Sequence, residues 1–264
     1  MKIGVVGLGN MATAMVGGII NAGLVKPSDI TGSDYSKVQV DKAIDNLKIK
    51  AVGSNIEAVT DADYVILAVK PQVYEDVLKE LSPVLKDNQV VISIAPGKTL
   101  GYLADRLGNE RKVVRLMPNT PALVGEGCTG VCKNEHVTKE EFDTVMQLLS
   151  SFGKAYEVKE NQMDAVVAVS GSSPAYVFKM IEAMADAAVA EGLDRATSYK
   201  MAAQAVLGSA KMVLETGKHP GELKDMVCSP GGTTIEAVRV LEEKGFRSAV
   251  FECMKACVKK SRGM

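Results

Sequence analysis

The segment "KIGVVGLGNMATAMVGGII", residues 2–20, decides the fold of this chain. A short apolar run typical of a buried strand leads into a glycine-rich turn and then into a helical pattern. Gly7, Gly9 and Ala12 form the spacing G-x-G-x-x-A. In this motif the first glycine makes the tight turn, the second lets the backbone approach a pyrophosphate, and the alanine lets the helix pack closely on the strand. The segment therefore predicts a dinucleotide-binding unit.

The residues that follow repeat the alternation of strand and helix. This alternation predicts a doubly wound parallel sheet, a Rossmann-type domain that we place at residues 1–158. Glycines in such a turn can be purely structural, and the surrounding βαβ pattern is what favours cofactor binding. The predicted strands are residues 2–7, 29–34, 64–69, 89–95 and 112–117, with possible additions at 129–134 and 155–159. The predicted helices are residues 10–22, 36–46, 72–82, 99–107 and 138–151.

From about residue 160 the sequence changes character. Residues 174–216 are rich in Ala, Met, Leu and Lys and predict two long helices separated by "EGLDR" (191–195). We expect a break at 217–225 and two more helices after the Ser-Pro-Gly-Gly sequence at 229–232. Helices that are apolar on more than one face need more partners than one small bundle offers, which predicts a homo-oligomer. We assign residues 161–264 to this all-helical domain.

Composition excludes several classes of protein. The net charge of −1 gives no reason to expect a nucleic-acid or membrane-surface partner. No apolar run approaches 18 residues, and the first segment lacks the cleavage pattern of a signal peptide. Five cysteines without a secretory context predict reduced thiols and a cytoplasmic location. Their spacings and the two histidines do not suit zinc, so no metal is expected.

The ends of the predicted strands supply the candidate cofactor site, because ligands of an open α/β sheet bind beyond the carboxyl ends of its strands. After the second strand, Asp34 could accept a hydrogen bond from a ribose 2′-hydroxyl, which would favour NAD, or could merely cap the next helix. Ser33, Ser36 and Lys37 could instead hold the 2′-phosphate of NADP, and the sequence leaves this choice open. Later strand ends add Ala68, Val69, Lys70, Pro71, Ala95, Gly97, Pro118 and Asn119.

A second motif, "VCSPGGTTIEAV" at residues 227–238, interrupts the helical region. Pro and two glycines cannot sit in a helix interior, so we interpret them as the loop and cap that open the next helix. Backbone N–H groups that converge before a helix are suited to binding a carboxylate. The loop could equally be only a helix N-cap.

Several motifs together resemble pyrroline-5-carboxylate reductase. They are "GLGNMA", "AVKP", "RLMPNTPALVGEG", "SGSSPAYVF" and "LKDMVCSPGGTTIEAV", in the family's order from residue 3 to about residue 247. The resemblance implies NADPH-dependent reduction of the cyclic imine 1-pyrroline-5-carboxylate to L-proline, the last step of proline biosynthesis. It also implies a helical dimerisation domain, with dimers commonly assembled into larger rings.

The resemblance also assigns residues to roles. It places Gly7, Leu8, Gly9, Asn10, Met11, Ala12, Asn55 and the segment Ala68 to Pro71 in the cofactor site. It places Glu160, Ser229, Gly231, Gly232, Thr233 and Thr234 around the substrate, with Thr234 as the catalytic side chain. A threonine hydroxyl both donates and accepts, so it can serve a ring nitrogen in either protonation state. Asp34 and Tyr35 depart from a clean phosphate-binding arrangement and leave the preference between NADPH and NADH open.

Two other functions compete with this interpretation. The 3-hydroxy acid dehydrogenases also join a dinucleotide domain to a helical one, and they use a lysine followed four residues later by Asn. Lys179 could be that lysine, but the fourth residue after it is Ala183. Oxidation of an alcohol needs general-base help, and the partner is missing here. A non-catalytic dinucleotide sensor is the other alternative, because a shared fold does not establish catalysis.

Overall fold

The computed structural model describes residues 1–263, and its central feature is one sheet of eight strands. The strand order is β3-β2-β1-β4-β5-β6-β7-β8, and every neighbouring pair is parallel except β6 with β7. The doubly wound sheet predicted from the sequence is confirmed, and β7 and β8 at its end run antiparallel to the other six strands. The strands β1 to β8 are Ile3–Val6, Ile30–Ser33, Lys50–Val52, Tyr64–Leu67, Val90–Ser93, Lys112–Met117, Gly127–Lys133 and Gly153–Glu157.

The sheet is covered on both faces, which explains why its central strands are apolar throughout. β1 and β4 are buried along their whole length. Residues of β1 and β4 point alternately into two hydrophobic clusters: Val5 and Ile66 into one, Val6 and Leu67 into the other. β1 pairs with β2 on one side and with β4 on the other, so the strand order reverses there. This reversal opens the crevice in which ligands of such sheets bind.

The first seven helices connect the strands of this sheet or follow the last of them. They are α1 (Asn10–Asn21), α2 (Lys37–Leu47), α3 (Asn55–Val59), α4 (Tyr74–Leu81), α5 (Leu100–Leu107), α6 (Lys139–Ser150) and α7 (Met163–Val166). The sequence did not predict β3 or α3. The strand has three residues and the helix five, and both are too short to show a periodic pattern. A single π-helical turn, Val167–Gly171, follows α7.

The C-terminal region is helical. Its helices are α8 (Ser173–Ala190), α9 (Arg195–Thr216), α10 (Pro220–Val227), α11 (Thr233–Glu243) and α12 (Phe246–Arg262). The break between the two long helices is confirmed: Gly192 adopts φ +96° and the Asp194 side chain caps α9. The predicted break at 217–225 was wrong in part, because α10 begins inside it. Pro220 suits the first position of a helix, and His219 caps it by accepting from the Gly221 amide.

The chain divides into two compact units. One consists of Met1–Ser172 together with the chain from Cys257 onward, and the other of Ser173–Ala256. Ser261 joins the end of α12 to the first unit by donating to Asp164 at 2.7 Å. No helix within residues 1–263 is both long and apolar enough to cross a membrane. The boundary that we predicted between residues 158 and 161 stays a prediction.

Gly153 is the glycine on which the sheet depends most. It adopts φ +150°, and a Cβ atom there would lie 2.1 Å from the carbonyl oxygen of Gly127. We expect Gly153→Ala to lower the free energy of unfolding by about 2–4 kcal/mol, because it combines backbone strain with a main-chain clash. The measurement is urea denaturation followed by circular dichroism. Gly53→Ala is the control, since a Cβ at Gly53 meets nothing within 4 Å; equal midpoints for the two variants would contradict the prediction.

Candidate cofactor and substrate sites

A cavity of about 340 Å³ opens at the carboxyl ends of β1, β2 and β4. Seven of the predicted cofactor residues line it: Gly7, Gly9, Ser36, Asn55, Ala68, Val69 and Lys70. Asp34, which the sequence left between a ribose contact and a helix cap, lines it as well, together with three residues that were not assigned to the site: Tyr35, Gln39 and Val73. The sequence motif and the strand ends therefore converge on one crevice.

The glycine-rich turn fits a pyrophosphate. Gly7 adopts φ +93°, and a Cβ atom there would lie 2.8 Å from the Ala68 carbonyl oxygen, so this position requires glycine. Gly9 has ordinary backbone angles, and a Cβ on it would meet nothing within 4 Å. The space beside Gly9 is open and faces the N-terminus of α1, whose first amides have no partner within the helix. Ala12 is buried where α1 packs on the sheet. This cradle suits a negatively charged group.

Asp34, the residue directly after β2, is held by two backbone amides. Leu8 of the glycine-rich turn donates to one carboxylate oxygen at 2.9 Å, and Ser36 donates to the other at 2.8 Å. Ser33, one position earlier, is fully buried and donates its hydroxyl to the Asn55 side-chain oxygen at 2.8 Å. Lys37 begins α2 and is exposed. Of these side chains, only the Asp34 carboxylate combines a fixed position with a place in the cavity wall.

A hydrogen-bonded triangle stands beside Asp34. The Asn55 amide donates to the Tyr35 hydroxyl at 3.0 Å and to the Glu80 carboxylate at 2.8 Å, and the Tyr35 hydroxyl donates to Glu80 at 3.1 Å. The Tyr35 ring is exposed while its hydroxyl is partly covered. This burial raises the pKa of the Tyr35 phenol, and the Glu80 carboxylate raises it further. Glu80 lies on α4, 45 residues from Tyr35, so no local sequence signal connects them.

The remaining predicted cofactor residues lie at other places in the first unit. Leu8 and Ala95 are buried, Asn10 and Met11 belong to the first turn of α1, and Pro71 begins a short 3₁₀ turn. Pro118 and Asn119 are buried at the end of β6. The Asn119 side chain donates to the Ser170 carbonyl at 2.9 Å and accepts from the Cys128 amide at 2.9 Å. Asn119 thus joins β7 to the π-helical turn.

Glu160 lies in a second, more polar cavity of about 520 Å³. Its carboxylate accepts from the Leu100 amide at 2.6 Å and pairs with the buried Arg115 guanidinium at 3.0 Å. Gly97, the predicted cofactor residue after β5, lines the same cavity. The other lining residues are Thr99, Arg115, Asn161, Met163, Asp164, Ser261 and Arg262. Glu160 therefore connects the start of α5 with strand β6.

The loop at Ser229 to Thr234 forms a tight turn followed by a helix. The Gly232 amide donates to the Ser229 carbonyl at 3.0 Å, and Gly231 adopts φ +67°. Pro at the second position and a left-handed glycine at the third are typical of a type II turn. Gly232 is the N-cap of α11, so the amides of Thr233 and Thr234 belong to its first turn. Thr233 is exposed and Thr234 half-buried. The predicted loop and cap are confirmed.

The described part of the chain, residues 1–263, holds no group of three or more His, Cys, Asp or Glu side chains arranged for a metal ion. Its five cysteines are free thiols. Burial raises the pKa of the Cys132 thiol to about 11, and the Glu160 carboxylate adds to that shift. A thiol with so high a pKa is not a nucleophile at neutral pH.

Comparisons with known proteins agree with this geometry. Residues 160–264 match the family described as "Pyrroline-5-carboxylate reductase dimerisation". Residues 2–97 match the family described as "NADP oxidoreductase coenzyme F420-dependent". The chain is 55% identical to pyrroline-5-carboxylate reductase of Escherichia coli over 98% of its length and 97% of that protein. It is 44% identical to the enzyme of the same name from Methanosarcina acetivorans, over 99% of this chain and 97% of the other.

Solved structures extend the comparison to the fold. The crystal structure of Plasmodium falciparum pyrroline carboxylate reductase with NADP bound has a TM-score of 0.91 to this chain. It is 36% identical and covers 100% of this chain and 97% of its own. A 3-hydroxyisobutyrate dehydrogenase from Mycobacterium tuberculosis shares only the fold, at 16% identity, with a TM-score of 0.53 and coverage of 72% of this chain and 66% of its own. Because its identity to pyrroline-5-carboxylate reductases extends over nearly the whole chain and it carries their motifs, the chain belongs to the pyrroline-5-carboxylate reductase family.

Proposed function

We propose that this chain reduces 1-pyrroline-5-carboxylate to L-proline with NADPH as the electron donor, the final step of proline biosynthesis. The observation that carries the proposal is the 55% identity over 98% of the chain to a pyrroline-5-carboxylate reductase. The glycine-rich cavity supports it independently, because it suits a dinucleotide. The experiment is steady-state oxidation of NADPH and of NADH with racemic 1-pyrroline-5-carboxylate. An absence of turnover with either cofactor would contradict the proposal and leave the 3-hydroxy acid dehydrogenase and the non-catalytic sensor as the alternatives.

The proposed division of labour follows the two parts of the sequence. Residues 1–158 bind the dinucleotide, and residues 161–264 provide dimerisation and substrate binding. The match of residues 160–264 to a dimerisation family supports a homodimer. Large exposed apolar side chains on the helices of the second unit support burial in an interface, among them Phe178, Met201, Leu214 and Phe251. We propose that the dimers assemble into a larger homo-oligomer, which sedimentation velocity would test.

The first unit binds and orients the cofactor, whose nicotinamide supplies the hydride when it is bound. The open space at Gly9 and the N-terminal amides of α1 would hold the pyrophosphate. Asn55 and the segment from Ala68 to Pro71 would surround the adenosine part. Lys70 lines the cavity and would offset phosphate charge. Because hydride transfer needs neither a nucleophile nor a metal, the chain's contribution is positioning.

The loop at Ser229 to Thr234 would bind the substrate. Its amides lie at the N-terminus of an 11-residue helix, where a carboxylate is favoured by the donors and by the helix dipole. Gly231 and Gly232 carry no side chain and leave the main chain accessible. Thr234 is the proposed catalytic residue, with its hydroxyl on the ring nitrogen. The imine carbon gains the hydride and the nitrogen holds a proton, and a hydroxyl can donate to or accept from that nitrogen.

The competing dehydrogenase reaction has less support. Lys179 would be its acid/base, but it is exposed and forms an ion pair with Glu182 on the same helix. Turnover of a 3-hydroxy acid with NADP would contradict the proposed function.

A cytoplasmic location is proposed as well, because five free thiols suit a reducing compartment. Fractionation of the cells that produce the protein would test it.

Glu160 is a proposed substrate-binding residue that also bonds to other residues of the chain, the Leu100 amide and the Arg115 guanidinium. We expect Glu160→Gln to raise the KM for 1-pyrroline-5-carboxylate by about 10- to 150-fold, the loss expected for one hydrogen bond to a charged group. The control is Glu157→Gln, an exposed carboxylate three residues earlier. Because Glu160 also pairs with Arg115, the melting temperature is measured in parallel. A lower melting temperature with an unchanged KM would make Glu160 a structural residue and remove it from the site.

A further inference from the structure

The adenosine end of the cofactor cavity carries a carboxylate to which the proposed function assigns no role. In sheets of this type, the side chain at the end of the second strand faces the ribose 2′ position. Here that side chain is Asp34, which lines the cavity directly after β2. An NADPH ribose presents a phosphate at this position, and an NADH ribose presents a hydroxyl. The chemistry around Asp34 therefore decides between the two cofactors.

The Asp34 carboxylate is held in a fixed position and can still accept further hydrogen bonds. Each of its carboxylate oxygens accepts one hydrogen bond from a backbone amide, one from Leu8 at 2.9 Å and the other from Ser36 at 2.8 Å. A carboxylate oxygen has two lone pairs, so each retains capacity for a second donor. A ribose hydroxyl can supply that donor, whereas a phosphate is itself an acceptor with negative charge. The same two amides would be phosphate donors if Asp34 did not occupy them.

Three neutral donors beside Asp34 are also engaged, whereas the Ser36 hydroxyl and the Gln39 amide, which line the cavity, form no side-chain hydrogen bond within residues 1–263. The Ser33 hydroxyl is buried and donates to Asn55. Both hydrogens of the Asn55 amide have acceptors, on Tyr35 and on Glu80, and the Tyr35 hydroxyl donates to Glu80. Glu80 adds a second carboxylate near this end of the cavity. The cations available to a phosphate are the exposed Lys37 and Lys70.

We propose that Asp34 sets the cofactor preference of this chain: its carboxylate accepts a hydrogen bond from the 2′-hydroxyl of NADH and opposes the 2′-phosphate of NADPH, so that NADH can replace NADPH as the electron donor. Glu80 acts as a positioning residue, because it keeps the Asn55 and Tyr35 donors turned away from a phosphate. This inference rests on the proposed function only in that a nicotinamide dinucleotide occupies the cavity.

The test is calorimetric binding of ADP-ribose and 2′-phospho-ADP-ribose to the full chain, which needs no turnover. We expect Asp34→Ser to raise the affinity for the phosphorylated ligand relative to the unphosphorylated one by about 10- to 100-fold, the range for a hydrogen bond to a charged group. The ratio of kcat/KM for NADPH to that for NADH should rise in parallel. The control is Asp105→Asn, an exposed carboxylate on α5 that lies outside the cavity lining; its affinity ratio should change less than about twofold.

Asp34 also holds the Leu8 amide, so Asp34→Ser could disturb the glycine-rich turn. Glu80→Gln is therefore the second variant, because it removes charge without touching that turn, and we expect a smaller change of the ratio in the same direction. An unchanged ratio in both variants would overturn the role of Asp34. Failure of the unaltered chain to bind either ligand would overturn the cofactor site itself. Lack of turnover with intact binding would contradict only the proposed reaction.

Discussion

Gly9→Val is expected to abolish measurable NADPH binding in a protein that remains folded. Gly9 has φ −73° and ψ −177°, angles that valine also adopts, and a Cβ there would meet nothing within 4 Å. The substitution therefore costs the fold little. The added side chain would instead fill the space through which a pyrophosphate approaches the N-terminus of α1. Loss of that contact with the helix amides removes the main anchor of the cofactor, so affinity should fall by more than about 100-fold.

Equilibrium titration of NADPH fluorescence measures this loss, with circular dichroism as the test of folding. Gly53→Val is the matched control: Gly53 has the same open surroundings but does not line the cavity. It should bind NADPH within about twofold of the unaltered chain, as expected for a surface substitution. Unchanged NADPH affinity in folded Gly9→Val would remove the segment from Gly7 to Ala12 from the cofactor site.

Thr234→Ala is expected to lower kcat/KM for 1-pyrroline-5-carboxylate by about 10- to 150-fold. The substitution deletes one hydrogen bond to a nitrogen that is charged when protonated, which is worth roughly 1.5–3 kcal/mol. Thr234→Val has nearly the shape of threonine and should lose as much, if the hydroxyl is what matters. Removal of a metal ligand or a covalent nucleophile would usually cost far more, so the size of the loss is itself informative.

The comparison of the two variants separates hydrogen bonding from packing. Full efficiency in Thr234→Val combined with a loss in Thr234→Ala would show that Thr234 only fills space. Thr216→Val is the control, because the Thr216 hydroxyl bonds locally to the Met212 carbonyl at the end of α9. Its kcat/KM should stay within about twofold of the unaltered chain. Steady-state kinetics at saturating NADPH measures all three.

Local sequence patterns predicted those parts of the fold that local physics determines. The G-x-G-x-x-A spacing predicted the turn at Gly7 because only a residue without a side chain fits φ +93° against the Ala68 carbonyl. The break between α8 and α9 was likewise predicted from Gly192 and Asp194, a helix stop and a helix cap. The strand β3 was missed because its three residues gain their order from pairing with β2, which no local pattern records.

The candidate site shows the same division. Gly9 was found from the glycine motif and the segment at Ala68 from a strand end, since the carboxyl ends of parallel strands meet at one edge. Asn55 was found only through the family resemblance. Glu80 was not found, because its contact with Tyr35 spans 45 residues and depends on how α4 packs beside the sheet. Tyr35 itself could have been found, as it follows Asp34 directly. Its role only becomes visible with the position of its hydroxyl.

The discontinuity of the first unit has a consequence for how the protein is made. The residues from Cys257 onward belong to the same unit as Met1–Ser172, yet the whole second unit, Ser173–Ala256, precedes them in the chain. A ribosome must therefore synthesise that unit before Ser261 can reach Asp164 and Cys257 can reach Ser172. The segment from Asp164 to Ser172, which follows the last strand, consequently waits for these contacts until the intervening helices have emerged. Completion of the cofactor-binding half is a late event of translation, although its first strand is synthesised first.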